Sequence, residues 1–269
     1  MKKKLIIVLI LTIILLSLIL IYSKNVTTHS LKVVEYGIKK DNLPNDFHGM
    51  KIVHLSDISY GKSTTLNDLE KVVKKINEIN PDIVIFSGDL FTKDIKMTDK
   101  EKEKVKSLIS SINAKYEKYA ILGDADINNK DDFYQIFDSF TILDNESTLL
   151  YISNESPIRI TGISDYKNED VINDGENPLF NILIIHKPDE IDNLKNKYDL
   201  ALAGHSMGGQ IKIPFFGPLI KKDGAKKYTS GKYEIGDTIL FVSDGIGTQG
   251  TNMRVNNKPK INLYRVYNH

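Results

Sequence analysis

The chain has 269 residues, and its charges nearly cancel, with 36 Lys and Arg against 35 Asp and Glu and a formal net charge of +1. Such a balance provides no overall field for attracting nucleic acid, and the absence of tryptophan argues against an aromatic platform for stacking bases. Cysteine is also absent, which excludes disulfides and thiolate chemistry and leaves His and carboxylates as metal ligands. We therefore expect no nucleic-acid partner.

The first residues predict a membrane-spanning helix. Three lysines at positions 2 to 4 precede an uncharged, mostly Leu and Ile run at 5–22. This length is close to the ~20 residues needed to cross the hydrocarbon core, and the lysines should stay in the cytoplasm. A cleavable signal peptide is the alternative, but its apolar region is shorter and ends in small residues. We expect a single-pass cell-membrane protein with an extracytoplasmic domain.

The rest of the chain predicts one α/β domain. We expect an anchor over 1–23, a linker and lead-in over 24–50, and a domain over 51–269. Short apolar runs typical of buried strands are Ile52 to Leu55, Asp82 to Phe86, Tyr119 to Leu122, Ile158 to Ile163, Asn181 to His186, Leu200 to Ala203, Thr238 to Val242 and Ile261 to Val266.

Helical patterns separate the earlier strands. Apolar residues between Leu66 and Ile79 recur at three- and four-residue spacing, and Pro81 ends that helix. Further helices are predicted over 100–113 and 131–139. Strands alternating with helices, followed by strands with little helix between them, predict two packed mixed β-sheets flanked by helices, a four-layer αββα sandwich.

Polar residues follow five of these strands at the ends where open α/β sheets place ligands. Each alone is more often a turn former or a helix cap. Together they form a set of carboxylates and imidazoles suited to a divalent ion such as Mn, Fe, Zn or Mg. The candidate metal ligands are Asp57, Asp89, Asp124, His186 and His205.

The motifs around these residues resemble a known family. In order they are LSD, SGDL, ILGDAD, IIHKPD and AGHSMGGQ. They resemble the DxH, GD, GNH(D/E), H and GHxH blocks of calcineurin-like metallophosphoesterases, and the C-terminal part is most similar to the membrane-anchored bacterial branch. The resemblance extends from about Lys51 to the C-terminus. It implies hydrolysis of phosphoric esters by a water or hydroxide held between two metal ions.

Three positions depart from the family pattern. Ser59 and Met207 replace two histidines that ligate the same metal, and Ala125 replaces the histidine that assists the leaving group. The resemblance therefore implies a single ion, with Asp89 at the former bridging position and Asp124 at the Asn position. Counting the three aspartates against one ion predicts a neutral or negative centre that attracts anions poorly. No catalytic residue is assigned.

Two functions remain open from the sequence. One is a membrane-anchored hydrolase that acts on a phosphate ester or a lipid-linked phosphate with a reduced metal site. The other is an inactive relative that serves as a binding or scaffolding module at the membrane surface. His54 is expected to pack in the sheet, and Lys62 and Arg254 to be solvated surface cations.

Overall fold

The computed structural model describes residues 2–61, 63–93, 95–153, 156–164, 180–194 and 198–268. Its helices are α1 (Lys2–Asn25), α2 (Leu66–Ile79), α3 (Asp99–Ser110) and α4 (Lys130–Ile136). Its strands are β1 (Lys32–Lys39), β2 (Met50–Leu55), β3 (Ile83–Ser87), β4 (Glu117–Ile121), β5 (Thr141–Ile142), β6 (Glu146–Leu150), β7 (Ile158–Ile163), β8 (Phe180–Ile185), β9 (Leu200–Ala203), β10 (Lys212–Ile213), β11 (Gly217–Pro218), β12 (Gly231–Ile235), β13 (Thr238–Val242) and β14 (Lys260–Tyr267).

The strands form two six-stranded sheets and one short hairpin. The first sheet has the order β1-β14-β2-β3-β4-β5, and the second has the order β12-β13-β9-β8-β7-β6. Strands β2 to β5 are parallel, whereas β14 is antiparallel to β2. In the second sheet β8 is parallel to both of its neighbours. The prediction of two mixed sheets flanked by helices is confirmed.

Apolar side chains fill both faces of the first sheet. Ile52, Ile83 and Ile85 face the second sheet and pack with its buried residues, such as Ile182. On the other face α2, α3 and α4 cover Val53 and its neighbours. Because both faces are buried, these strands read as nearly continuous apolar runs. A capping box between the side chain of Thr65 and that of Asp68 fixes the start of α2.

Residues 24–50 differ from the expected linker because they contribute strand β1 to the first sheet. This strand pairs in parallel with β14, from Lys32 opposite Lys260 to Lys39 opposite Tyr267. Only Ile38 of β1 is buried, as befits an edge strand, so the segment carries no apolar run. Helix α1 is long and apolar enough to cross a membrane.

The first sheet buries His54, as the sequence predicts. Its Nε2 lies 2.8 Å from Ser87 Oγ, and its Nδ1 lies 3.3 Å from the hydroxyl of Tyr264. Burial lowers the pKa of His54 to about 3, because a protonated imidazole loses its hydration inside the sheet. His54 is therefore neutral in the folded protein.

This histidine should make the domain sensitive to acid. In the unfolded chain its pKa is near 6.5, so its contribution is fully present above that pH. As the pH falls from about 6.5 towards 3, only the unfolded state takes up the proton, and the free energy of unfolding should drop by at most about 5 kcal/mol. The slope of the free energy of unfolding against pH can be measured by unfolding the full chain in detergent at several pH values in this range. His54→Gln should flatten it, while His48→Gln at an exposed position should not; equal slopes in all three proteins would contradict the assignment.

Candidate metal centre

The carboxyl ends of β2, β3, β4, β8 and β9 bring the five predicted residues to one edge of the two sheets. Asp89, His186 and His205 form a buried group in which the potential ligand atoms all lie within 4.8 Å of one another. Asp57 and Asp124 lie beside this group. The strand-end argument thus predicts the location of the site.

The two imidazoles are oriented by backbone carbonyls. His186 Nδ1 lies 2.7 Å from the carbonyl oxygen of Ser87, and His205 Nε2 lies 2.7 Å from that of Asp223. A carbonyl oxygen only accepts hydrogen bonds, so each of these ring nitrogens donates its proton. His186 Nε2 and His205 Nδ1 therefore face each other, 3.2 Å apart. This arrangement is the one by which proteins direct imidazole lone pairs at a metal.

Asp89 completes the close group. Its Oδ2 lies 3.3 Å from His186 Nε2 and accepts a hydrogen bond of 2.9 Å from Gln249 Nε2. Its Oδ1 accepts a hydrogen bond of 2.9 Å from the backbone N–H of Ala125. Each oxygen thus accepts a hydrogen bond from an uncharged N–H group, and Oδ2 also faces His186.

The other two aspartates occupy different environments. Asp57 is buried, and its Oδ2 accepts a hydrogen bond of 2.9 Å from the backbone N–H of His205, whereas its Oδ1 has no hydrogen-bond partner among the residues that the structure describes. Asp124 is about half exposed, with Oδ2 3.8 Å from His205 Nδ1 and Oδ1 2.8 Å from the ammonium of Lys187. Asp57 thus has a free buried lone pair, and Asp124 faces the solvent side.

Backbone conformation aims several of these side chains. Asp57, Asp89 and His205 have φ values of 51°, 61° and 64°, in the left-handed region that residues with a Cβ seldom adopt. Ser59 and Met207, where the motif resemblance leads one to expect histidines, have φ values of 49° and 53°. Such conformations cluster at functional sites because the surrounding fold maintains them.

Two glycines let the strand ends approach closely. A Cβ on Gly88 would lie 2.8 Å from His186 Nδ1, and a Cβ on Gly123 would lie 2.4 Å from the backbone nitrogen of Asp89. Asp126 accepts hydrogen bonds from the backbone N–H groups of Asp89 and Gly123 at 2.8 and 2.9 Å, which ties the two loops together.

Burial and charge give the two histidines opposite protonation tendencies. Burial opposes the charge on His186, but Asp89 and Asp57 outweigh it and raise the pKa of His186 to about 9. Burial lowers the pKa of His205 to about 3, aided by the positive charges of Lys222 and His186. Burial opposes ionisation of Asp89, yet His186 and Lys222 keep its pKa below the ordinary value. His186 and Asp89 therefore form an ion pair, and a metal ion held by His186 would displace the proton of its Nε2.

Two lysines change the charge count made from the sequence. The ammonium of Lys222 donates to the carbonyl oxygen of His205, and its charge acts on Asp57, Asp89 and Asp124. Lys187 pairs with Asp124. These two ammonium groups offset part of the negative charge of the three carboxylates. The charge count made from the motif residues did not include these two cations, which come from outside the motifs.

Arg254 also differs from its prediction as a solvated surface cation. It is fully buried. Its Nε donates to the carbonyl oxygen of Gly247 and its Nη2 to that of Asp244, both at 2.8 Å, and Nη2 lies 3.5 Å from Met207 Sδ. Arg254 therefore supports the loops that carry Met207, Asp244 and Gly247. Lys62 lies outside the described residues.

The residues of the close group fit a divalent ion. Two neutral imidazole nitrogens and a carboxylate form a donor set typical of Zn, Mn or Fe, and Oδ1 of Asp57, which accepts no hydrogen bond from the described part of the chain, offers a further buried oxygen nearby. The sequence missed Lys222 and Gln249 because both lie in loops outside the five motifs that carry the candidate metal ligands. Lys187 was signalled only by its position directly after His186.

Comparisons with known proteins show the family of the chain. The family model described as calcineurin-like phosphoesterase matches residues 50–209. The metallophosphoesterase YkuE of Bacillus subtilis is 31% identical over 90% of this chain and 88% of its own length. A zebrafish (Danio rerio) transmembrane protein with a metallophosphoesterase domain is 26% identical over 86% of this chain and 56% of its own length. UDP-2,3-diacylglucosamine pyrophosphatase LpxG of Chlamydia muridarum is 26% identical over 64% of this chain and 69% of its own length.

Proposed function

Because the chain belongs to the calcineurin-like phosphoesterase family, we propose that it is a membrane-anchored hydrolase of phosphoric esters that works with one tightly held divalent ion. The observation that carries this proposal is the pair of imidazole nitrogens, His186 Nε2 and His205 Nδ1, which face each other at 3.2 Å beside the Asp89 carboxylate. Their outer nitrogens are already committed to backbone carbonyls. The inner nitrogens are thus directed at a shared ligand.

The residues around the close group have separable roles in this proposal. His186, His205 and Asp89 hold the ion, with Asp124 as a further ligand on the exposed side and Asp57 as a buried one. A bound divalent ion polarises a phosphoryl oxygen and lowers the pKa of a coordinated water. Lys222 and Lys187 attract the phosphate and balance the carboxylates.

Helix α1 supports localisation at the cell membrane. Its lysines at positions 2 to 4 favour the cytoplasm, so the domain would lie on the other side of the membrane. The similar protein from Chlamydia muridarum is named as a pyrophosphatase of a diacylated sugar nucleotide. We extend that substrate type to this chain as a lipid-linked phosphate.

Metal content and turnover of the purified full chain test the proposal together. Mass spectrometry should find one ion per chain, and hydrolysis of p-nitrophenyl phosphate or bis-p-nitrophenyl phosphate should require added Mn, Mg, Zn or Fe. Chelation should stop the hydrolysis, because the imidazoles and Asp89 alone supply no activated water. Turnover that survives chelation, or no turnover with any of these ions, would contradict the proposal.

A second function, a binding module without catalysis, is favoured by one observation. Ala125 occupies the position at which the family has its catalytic histidine. Its backbone N–H already donates a hydrogen bond to Asp89. Such a module predicts bound metal without turnover. The same two measurements therefore separate the candidates.

A further inference from the structure

The hairpin formed by β10 and β11 exposes an unusual amount of apolar surface. Its residues 213–220, called here the apolar hairpin, are IPFFGPLI. Phe215 is fully exposed, Phe216 is 87% exposed and Ile220 is 70% exposed. A contiguous apolar patch of this kind on a protein surface marks an interaction site.

The apolar hairpin is held firmly by the fold. Ile211 bridges to Val255, and the backbone N–H of Lys212 donates to the carbonyl oxygen of Val255 at 3.0 Å. The backbone N–H of Leu219 donates to the carbonyl oxygen of Ile211 at 2.8 Å. A left-handed Phe215, with a φ of 69°, turns the chain at the tip. The phenylalanines are therefore presented to the outside by a fixed framework.

The apolar hairpin lies next to the end of α1. A cleft of about 650 Å³ is lined by Ile19 and Tyr22 of α1 on one side and by Pro214 of the hairpin on the other. Exposed Lys32 and Lys258 line the same cleft. Ile19 and Tyr22 belong to the last turns of the apolar span. A membrane that surrounds α1 would therefore also contact the apolar hairpin, which lies at the level of the end of α1. Lys32 and Lys258 would then lie at the level of anionic headgroups.

The end of α1 is fixed to the domain rather than loosely attached. Ser23 is buried, and its carbonyl oxygen accepts a hydrogen bond of 2.8 Å from Thr28 Oγ1. That hydroxyl in turn accepts a hydrogen bond of 2.9 Å from the backbone N–H of Arg254. The side-by-side arrangement of α1 and the apolar hairpin is therefore part of the folded structure.

Two cavities that share lining residues lie between the apolar hairpin and the metal centre. A cavity of about 310 Å³ is lined by Ile211, Leu219 and Ile220 together with Lys222 and Gln249. Lys222 and Gln249 also line a second cavity, of about 510 Å³, that contains Asp89, Asp124 and His205. An amphipathic molecule can place its phosphate at the second cavity and its hydrocarbon along the first.

We propose that the apolar hairpin inserts into the bilayer beside α1 and that it delivers the phosphate headgroup of a membrane lipid to the metal centre. The hairpin, the cleft and the position of α1 support the insertion into the bilayer. The identity of the substrate rests on the function proposed above. Lysines beside an inserted aromatic tip suit a bilayer that contains anionic lipid.

The chain contains no tryptophan, so a single introduced tryptophan reports on its own surroundings. Phe215→Trp in the full chain, reconstituted into phosphatidylglycerol and phosphatidylcholine vesicles, should emit at a blue-shifted wavelength and lose most of its emission when brominated lipids replace the ordinary ones. Tyr22→Trp in α1 serves as the positive control. Tyr134→Trp, on α4 beside α3, serves as the control away from α1. If brominated lipid does not quench the fluorescence of Phe215→Trp, the proposal is overturned. This holds whether the indole emits as if exposed to water or as if shielded by protein.

A second comparison tests delivery of the substrate. Phe215→Ser with Phe216→Ser should lower the ratio of hydrolysis of phosphatidic acid in vesicles to hydrolysis of p-nitrophenyl phosphate by about tenfold or more, because two aromatic side chains no longer bury apolar area in lipid. An unchanged ratio overturns delivery by the hairpin. If the wild type hydrolyses neither compound, the proposed function fails, while the tryptophan measurement still decides insertion.

Discussion

Replacing Asp89 with asparagine is expected to lower metal-dependent hydrolysis at least about a hundredfold, since the change removes a charged ligand from the closest group of the site. Asparagine has the shape of aspartate and tolerates the left-handed backbone, with its φ of 61°, at this position. It also keeps an oxygen that can accept from the backbone N–H of Ala125. The expected loss therefore comes from the charge and not from the fold.

Metal content and activity of Asp89→Asn should fall together. Asp138→Asn provides a matched control, because Asp138 is half exposed and pairs with Lys106 on a helix away from the site. Its activity should equal that of the wild type. Full turnover by Asp89→Asn would show that the hydrolysis arises elsewhere, and a lowered unfolding midpoint would assign the loss to folding.

Replacing Arg254 with methionine should cause the largest loss of stability, about 3 to 5 kcal/mol in the free energy of unfolding. The guanidinium is completely buried and donates to the carbonyl oxygens of Gly247 and Asp244. Methionine fills a similar volume but leaves these buried acceptors without donors. Burial lowers the pKa of Arg254 to about 10, which leaves it charged at neutral pH.

Arg265→Met is the matched control for this prediction. Arg265 is partly exposed and pairs with Glu35 at the surface, and exposed pairs contribute at most about 1 kcal/mol. Denaturant unfolding of both variants in the same detergent gives the comparison. Equal losses in the two proteins would refute the structural role assigned to Arg254.

The sequence predicts the strands that lie inside the sandwich and misses those at its margins. Strands such as β3 are buried on both faces, so their composition alone marks them. Strand β1 has one buried residue and β12 has none, and partial exposure leaves no clear pattern. The predicted helix starts at positions 66, 100 and 131 lie within one residue of the observed starts, two of which are fixed by capping boxes at Thr65 and Thr98.

The candidate site shows a similar division. Asp89, His186 and His205 could be predicted to meet because parallel strands end at a shared edge. Lys222 could not, since it reaches the site from a loop whose course depends on tertiary contacts. Arg254 was wrongly predicted because nothing local distinguishes a buried arginine from a solvated one. The charge of the site was therefore less predictable than its location.

Strand β14 lies between β1 and β2 in the first sheet. During synthesis β2, β3 and β4 can associate early, but β1 has no neighbour in the sheet until residues 260–267 arrive. The contact joins segments more than two hundred positions apart, and contacts of such long sequence separation form slowly. Strand β1, which follows α1, is consequently the last strand to join this sheet. Until β14 is in place, the segment between α1 and the rest of the domain stays unpaired in a nascent chain.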